Sequence, residues 1–189
     1  MNKQLFKIVL FILPLLGITN TLSAQQIYSF DKSLEGWNSK TPAPPAGFST
    51  SISWEKGSGK HKGLAVITPN ENPQNPGTTA SLHTLIYAPK NHSELNINEY
   101  NYLKVTLKNQ TNGKVLQVAT KPNSMGSKWS FQNLLITTQD TGFKTYTFKL
   151  KQELKGENLN IKILVANTKG LWTKDTKVYI DKIEFLKTI

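Results

Sequence analysis

The sequence has no cysteine and no arginine. Without cysteine there is no disulfide and no acceptor for a lipid anchor, so stability has to come from packing, with a bound metal as the remaining aid. All 23 basic residues are lysine, and the missing guanidinium fork argues against phosphate or base-edge recognition, hence against a nucleic-acid partner. Long apolar runs are scarce too. The one clear run, Ile8 to Gly17, is ten residues interrupted by Pro14, well short of the roughly 20 that span a bilayer, so no membrane insertion is expected. No stretch holds a helical period over about eleven residues or more. His61, His83 and His92 form no paired ligand spacing of the kind a catalytic zinc needs, and neither a Gly-x-Ser-x-Gly nor a phosphate-cradling glycine loop is present.

What is present begins with an export leader. Lys3 and Lys7 precede the apolar run, and Leu22-Ser23-Ala24 offers a cleavage site before Gln25. Residues 1–24 are therefore expected to be a signal peptide, with 25–189 a single domain secreted or held in the periplasm. Removing Lys3 and Lys7 takes the formal charge from +11 to +9. Such a balance suits an anionic polysaccharide, but it also suits a plainly solvated lysine face.

The mature chain reads as about ten short strands parted by polar turns. Phe48, Thr50, Ile52 and Trp54 alternate with Ser49, Ser51, Ser53 and Glu55; Leu103, Val105 and Leu107 alternate with Lys104, Thr106 and Lys108. Further strands are expected at Ile27–Phe30, Leu64–Thr68, Ala80–Tyr87, Val115–Thr120, Trp129–Thr138, Lys144–Leu150 and Leu159–Val165. Lys40–Gly47 and Pro69–Thr78, rich in proline, read as long loops. Asn112-Gly113 predicts a hairpin that returns Val115–Thr120 against the preceding strand. The fold class expected is an all-β antiparallel sandwich.

Lys177 to Leu186 poses a local problem. Asp181 shares its parity with Tyr179, Ile183 and Phe185, so on a regular strand a carboxylate would point among groups that favour burial. A cation, a set of backbone donors or a bulge that turns it outward would each resolve the conflict.

Three pieces carry a family pattern: Phe30-Asp31 with Leu34-Glu35-Gly36-Trp37, then Gly59-Lys60-His61-Lys62-Gly63-Leu64-Ala65-Val66, then Val178-Tyr179-Ile180-Asp181-Lys182-Ile183. In this order they resemble the galactose-binding-domain-like carbohydrate-binding modules, the jelly-roll sandwiches of families four, nine and twenty-two. The resemblance implies a two-sheet jelly roll, noncatalytic sugar binding, and a structural calcium near the joined ends of the first and last strands, with Asp31 and Asp181 as its carboxylates. Calcium takes six to eight oxygens, so backbone carbonyls would have to complete the set. Lys182 departs from the family, which often places a second acid there.

Sugar sites are built from aromatic platforms flanked by polar groups. Trp37 and Trp54 read as packing residues. Trp129 and Trp172, each in or beside a polar loop, are the candidate platforms, with Tyr87 a third; Trp172 either caps the core or binds. Gln117, Asn123, Lys128 and Gln132 are the polar candidates.

Catalysis finds little support. The nearest carboxylates, Glu153 and Glu157, flank Gly156 in a turn rather than sharing a strand, and a lyase of this fold would want an arginine. The expected function is an exported, monomeric, noncatalytic module that binds a polysaccharide or oligosaccharide, with an acidic glycan as the charge-matched variant. The alternatives are a sandwich for protein contacts, as an accessory or adhesion protein, and a small polysaccharide hydrolase or lyase.

Overall fold

Alternating side chains dictate two sheets with one apolar interior. The computed structural model describes residues 25–38, 50–69, 83–87, 96–122, 126–156, 159–166 and 176–189. Among them run ten strands: β1 (Gln25–Tyr28), β2 (Thr50–Lys56), β3 (Gly63–Pro69), β4 (His83–Tyr87), β5 (Tyr102–Asn109), β6 (Val115–Pro122), β7 (Ser130–Leu135), β8 (Lys144–Lys149), β9 (Leu159–Ala166) and β10 (Val178–Leu186). The larger sheet has the order β2-β3-β10-β5-β8, with β1 also on β10; the smaller has β4-β9-β6-β7. Every pairing is antiparallel. The architecture is the two-sheet jelly-roll sandwich.

The interior follows the predicted parities on β5, β6 and β9, but Trp54 on β2, read as an inward packing residue, is 38% exposed and turns its Nε1–H to the Phe30 carbonyl. Leu103, Val105 and Leu107 from β5 meet Leu116 and Val118 from β6 and Ile161, Ile163 and Val165 from β9 in one cluster. Burying each such side chain contributes about 1.5–3 kcal/mol. Trp37 lies in the same core at 1% exposure, its ring edge-on to Tyr28 with centroids 5.3 Å apart. A tight turn delivers it there. Glu35 Oε1 accepts bonds from the Phe30 and Ser29 N–H groups at 2.7 and 3.2 Å, and Phe30, Glu35 and Gly36 take positive φ, which ends β1 two residues earlier than its apolar run suggests.

The predicted hairpin at Asn112-Gly113 is absent. β5 lies in the larger sheet and β6 in the smaller, so this connection crosses the sandwich. A buried polar corner explains the crossing. The Asn109 amide donates to the Gly113 and Thr137 carbonyls, both at 2.8 Å, and its oxygen accepts from the Thr111 N–H at 3.0 Å. Asp140 accepts from the Asn109 N–H and from Lys144 Nζ, at 3.2 and 2.7 Å. These bonds satisfy backbone groups that a hairpin ladder would otherwise have paired.

β10 holds the sheet closed. Its first half, Val178–Ile180, pairs with β3 and its second half, Ile183–Leu186, pairs with β1. On its other edge the register against β5 slips between Ile180 and Lys182. Val178 and Ile180 face the core before the slip, Ile183 and Phe185 after it. The bulge thus inverts parity and removes Asp181 from the apolar face.

Candidate functional site

Register defines what lies on the outer face of the smaller sheet. Since Leu116, Val118, Ile161, Ile163 and Val165 point inward, their alternates Val115, Gln117, Ala119 and Lys121 on β6 and Lys162 and Leu164 on β9 point outward. On β7 the outward set is Phe131, Asn133 and Leu135. Cross-strand partners then form rows: Lys162 stands beside Ala119 and Ala119 beside Phe131, while Leu164, Gln117 and Asn133 make the next row. Tyr87 occupies the β4 position opposite Lys162. No Asp or Glu stands at any of these positions.

Trp129, just before β7, lies over this face. It packs against Ala119 and Leu164, a small apolar cluster separate from the core. Lys162 Nζ is 4.0 Å from the Trp129 ring centroid and 5.4 Å from that of Phe131, close enough for both rings to stabilise the cation. Burial, and then the charge of Lys121, lower the Lys162 pKa below the ordinary lysine value. Phe131 is half exposed. Beside it Gln117 Nε2 donates to Asn133 Oδ1 at 2.7 Å, an amide pair that presents further donors and acceptors on the surface. The result is an aromatic, amide-lined and cationic face able to stack on a sugar ring and bond its hydroxyls.

The sequence-based candidates divide. Trp129 and Gln117 come together on this face, and the backbone position of Tyr87 pairs with that of Lys162. Lys128 is exposed next to Trp129 in the chain. Gln132 has the opposite parity, and its amide bonds the Lys149 carbonyl at 2.9 Å and the Lys151 N–H at 3.2 Å, tying β7 to the end of β8. Trp172 and Asn123 lie outside the described residues. Phe131, Asn133 and Lys162 were not among the candidates. The parity of β9 already turns Lys162 away from Ile161 and Ile163, but β7 carries apolar residues on both parities, which hides its faces.

Asp31 and Asp181 sit at the seam where β1 and β3 meet along β10. His61 Nδ1 bonds Asp181 Oδ1 at 2.7 Å, and the Phe143 ring lies over the imidazole with centroids 4.1 Å apart. Lys62 Nζ reaches Asp31 Oδ2 at 3.8 Å in a far more exposed pair. The Phe30 carbonyl accepts from Trp54 Nε1 at 2.7 Å. Asp181 Oδ1 and the Phe30 carbonyl therefore each have a hydrogen-bond partner from the chain itself, and the described residues contain no group of three or more His, Asp or Glu that could hold a metal. The seam's residues do not fit the calcium that the family pattern implies.

No protein-family model matches the sequence, and no curated protein does. Among solved structures, the CBM22-1 xylan-binding domain of Paenibacillus barcinonensis Xyn10C superposes with a TM-score of 0.51 at 7% identity, over 88% of this chain and 97% of that one. The chain has the jelly-roll fold of carbohydrate-binding modules. A family 11 carbohydrate-binding module from Clostridium thermocellum, in complex with a mixed-linked β-1,3-1,4 tetrasaccharide, gives 0.48 at 11% identity over 87% of this chain and 96% of its own.

Proposed function

We propose that the protein is an exported, noncatalytic carbohydrate-binding domain that takes a polysaccharide or oligosaccharide on the outer face of its smaller sheet. The observation that carries this reading is the Trp129 and Phe131 pair set beside the Gln117–Asn133 amides on one sheet face. Trp129 and Phe131 supply the stacking surface, and Gln117 and Asn133 bond hydroxyls. The absence of acidic residues from the described register positions of this face supports a binding role over hydrolysis, which needs two carboxylates. Residues 1–24 act as the leader, 25–189 form the one domain, and the product is a monomer in the periplasm or outside the cell. The formal charge of +9 that remains after the leader is removed favours an acidic glycan.

Affinity electrophoresis of the mature chain tests the reading, with gels containing xylan, mixed-linkage β-glucan, glucuronoxylan or polygalacturonate. Retardation is expected in at least one gel, and Trp129→Ala together with Phe131→Ala should abolish it while the far-UV circular dichroism stays unchanged. Unretarded migration in every gel would overturn the assignment. A second reading, a surface for protein contact, draws on Leu135, which is 80% exposed at the end of β7, next to the half-exposed Phe131. It predicts that Leu135→Ser weakens association with a protein partner and leaves glycan binding intact.

A further inference from the structure

Among the described residues, Lys144, Lys177 and Lys187 meet the carboxylates of Asp140, Glu55 and Glu99, and Lys62 reaches Asp31. Lys162 and Lys121, both on the outer face of the smaller sheet, have no carboxylate partner among the described residues. They are also neighbours. Lys162 is paired across the strands with Ala119, and Lys121 stands two residues further along β6, opposite Asn160, which makes the two lysines a diagonal pair on one face. Like charges so placed repel, and the charge of Lys121 adds to burial in lowering the preference of Lys162 for the charged form. An arrangement of this kind is relieved by an anion that binds between them.

Lys162 is the better positioned of the two. Its ammonium lies near the Trp129 and Phe131 rings, so it is held where a ligand stacked on those rings would lie, instead of ranging through solvent on a flexible stem. Partial burial strengthens any charge interaction it makes, because the effective dielectric there is below that of water. We propose that Lys162, assisted by Lys121, is a specificity-determining residue that reads the anionic substituent, carboxylate or sulfate, of an acidic polysaccharide lying across Trp129 and Phe131. This inference rests on the carbohydrate-binding reading above and names the ligand class of that same face. The bland role for Lys162, a cation that merely props the Trp129 ring, predicts equal loss of binding to charged and neutral glycans when the charge is removed.

Matched ligands separate these roles. The mature chain is titrated by calorimetry with polygalacturonate and its full methyl ester, glucuronoxylan and unsubstituted xylan, and dextran sulfate and dextran. The wild type is expected to bind the charged member of at least one pair about tenfold more tightly than the neutral one, as a hydrogen bond to a charged group implies, with the gap closing as salt is raised. The first two pairs identify a carboxylate and the third a sulfate. Lys162→Met, which keeps the apolar stem against Trp129, should bring the two members within about twofold of each other without weakening the neutral one. Lys162→Arg should retain the preference, which separates loss of charge from loss of fold. Equal affinity for both members of every pair, or a preference unchanged in Lys162→Met, would overturn the proposal while leaving the carbohydrate-binding reading in place. Absence of binding to all six polymers would overturn the proposal, and together with unretarded migration in every gel above it would remove the carbohydrate-binding reading as well.

Discussion

His61 and Asp181, 120 residues apart, share a 2.7 Å hydrogen bond in which both side chains are more than four-fifths buried. The ionised carboxylate can only accept, so the imidazole presents Nδ1–H to it. The bond fastens the turn before β3 to the bulge of β10, where neither β3 nor β1 pairs.

Because this bond and the Trp54 bond to the Phe30 carbonyl already engage the seam's oxygens, a chelator is expected to leave the melting temperature unchanged. A double-mutant cycle of His61→Gln and Asp181→Asn should return a coupling of about 1–3 kcal/mol. A fall in melting temperature on chelation that added calcium reverses would show that a metal holds the seam instead.

Gly63 is enclosed on the same seam. A Cβ there would lie 2.1 Å from the Phe30 carbonyl oxygen and 2.6 Å from Trp54 Nε1. Gly63→Ala must therefore displace backbone or break the Trp54 bond, and it should cost about 2 kcal/mol or more in chemical denaturation. A wild-type midpoint for this variant would contradict the close approach.

Acid should attack the polar corner first. Burial raises the Asp140 pKa, but bonds from Lys144, Thr137 and the Asn109 N–H outweigh it and hold the carboxyl below its ordinary 3.8. A depressed pKa contributes stability that is present above the ordinary value and lost as pH falls through the folded one. Asp140→Asn should cost about 1–3 kcal/mol at neutral pH and flatten the acid limb of the stability profile below pH 3.8. An acid limb identical to that of the wild type would refute the assignment.

Alkali should act through Tyr28. Burial, followed by the charges of Glu35 and Tyr100, pushes its phenol well above the ordinary 10.0. The neutral phenol thus contributes stability in full below pH 10.0, and that contribution is lost as pH climbs above it. Tyr28→Phe keeps the ring against Trp37 and should reduce the alkaline loss measured by fluorescence between about pH 10 and 12.

The strands and their inward faces were legible because alternation is a local property. Leu103, Val105 and Leu107 declare their side without reference to any partner. The sheet to which a strand belongs is not local. Asn112-Gly113 looks like a hairpin turn from within, but the carboxylate that fixes the corner, Asp140, lies 31 residues beyond Asn109. The same limit governs the site. Trp129 and Gln117 could be picked as aromatic and amide, and they do share a face. Lys162 reads in the sequence as one more solvated lysine, since only strand register brings it to Trp129 and Phe131. The conflict at Asp181 was visible and its outcome was not: the bulge and His61 answer it together, and a lone histidine announces no partner.

The sharing of β10 between β3 and β1 also orders events in time. Tyr28 pairs with Ile183, 155 residues further along (183 − 28), so β1 has no place to dock until β10 has been made. Closing so long a loop is entropically slow. The larger sheet therefore cannot close while the residues between β1 and β10 are still being synthesised.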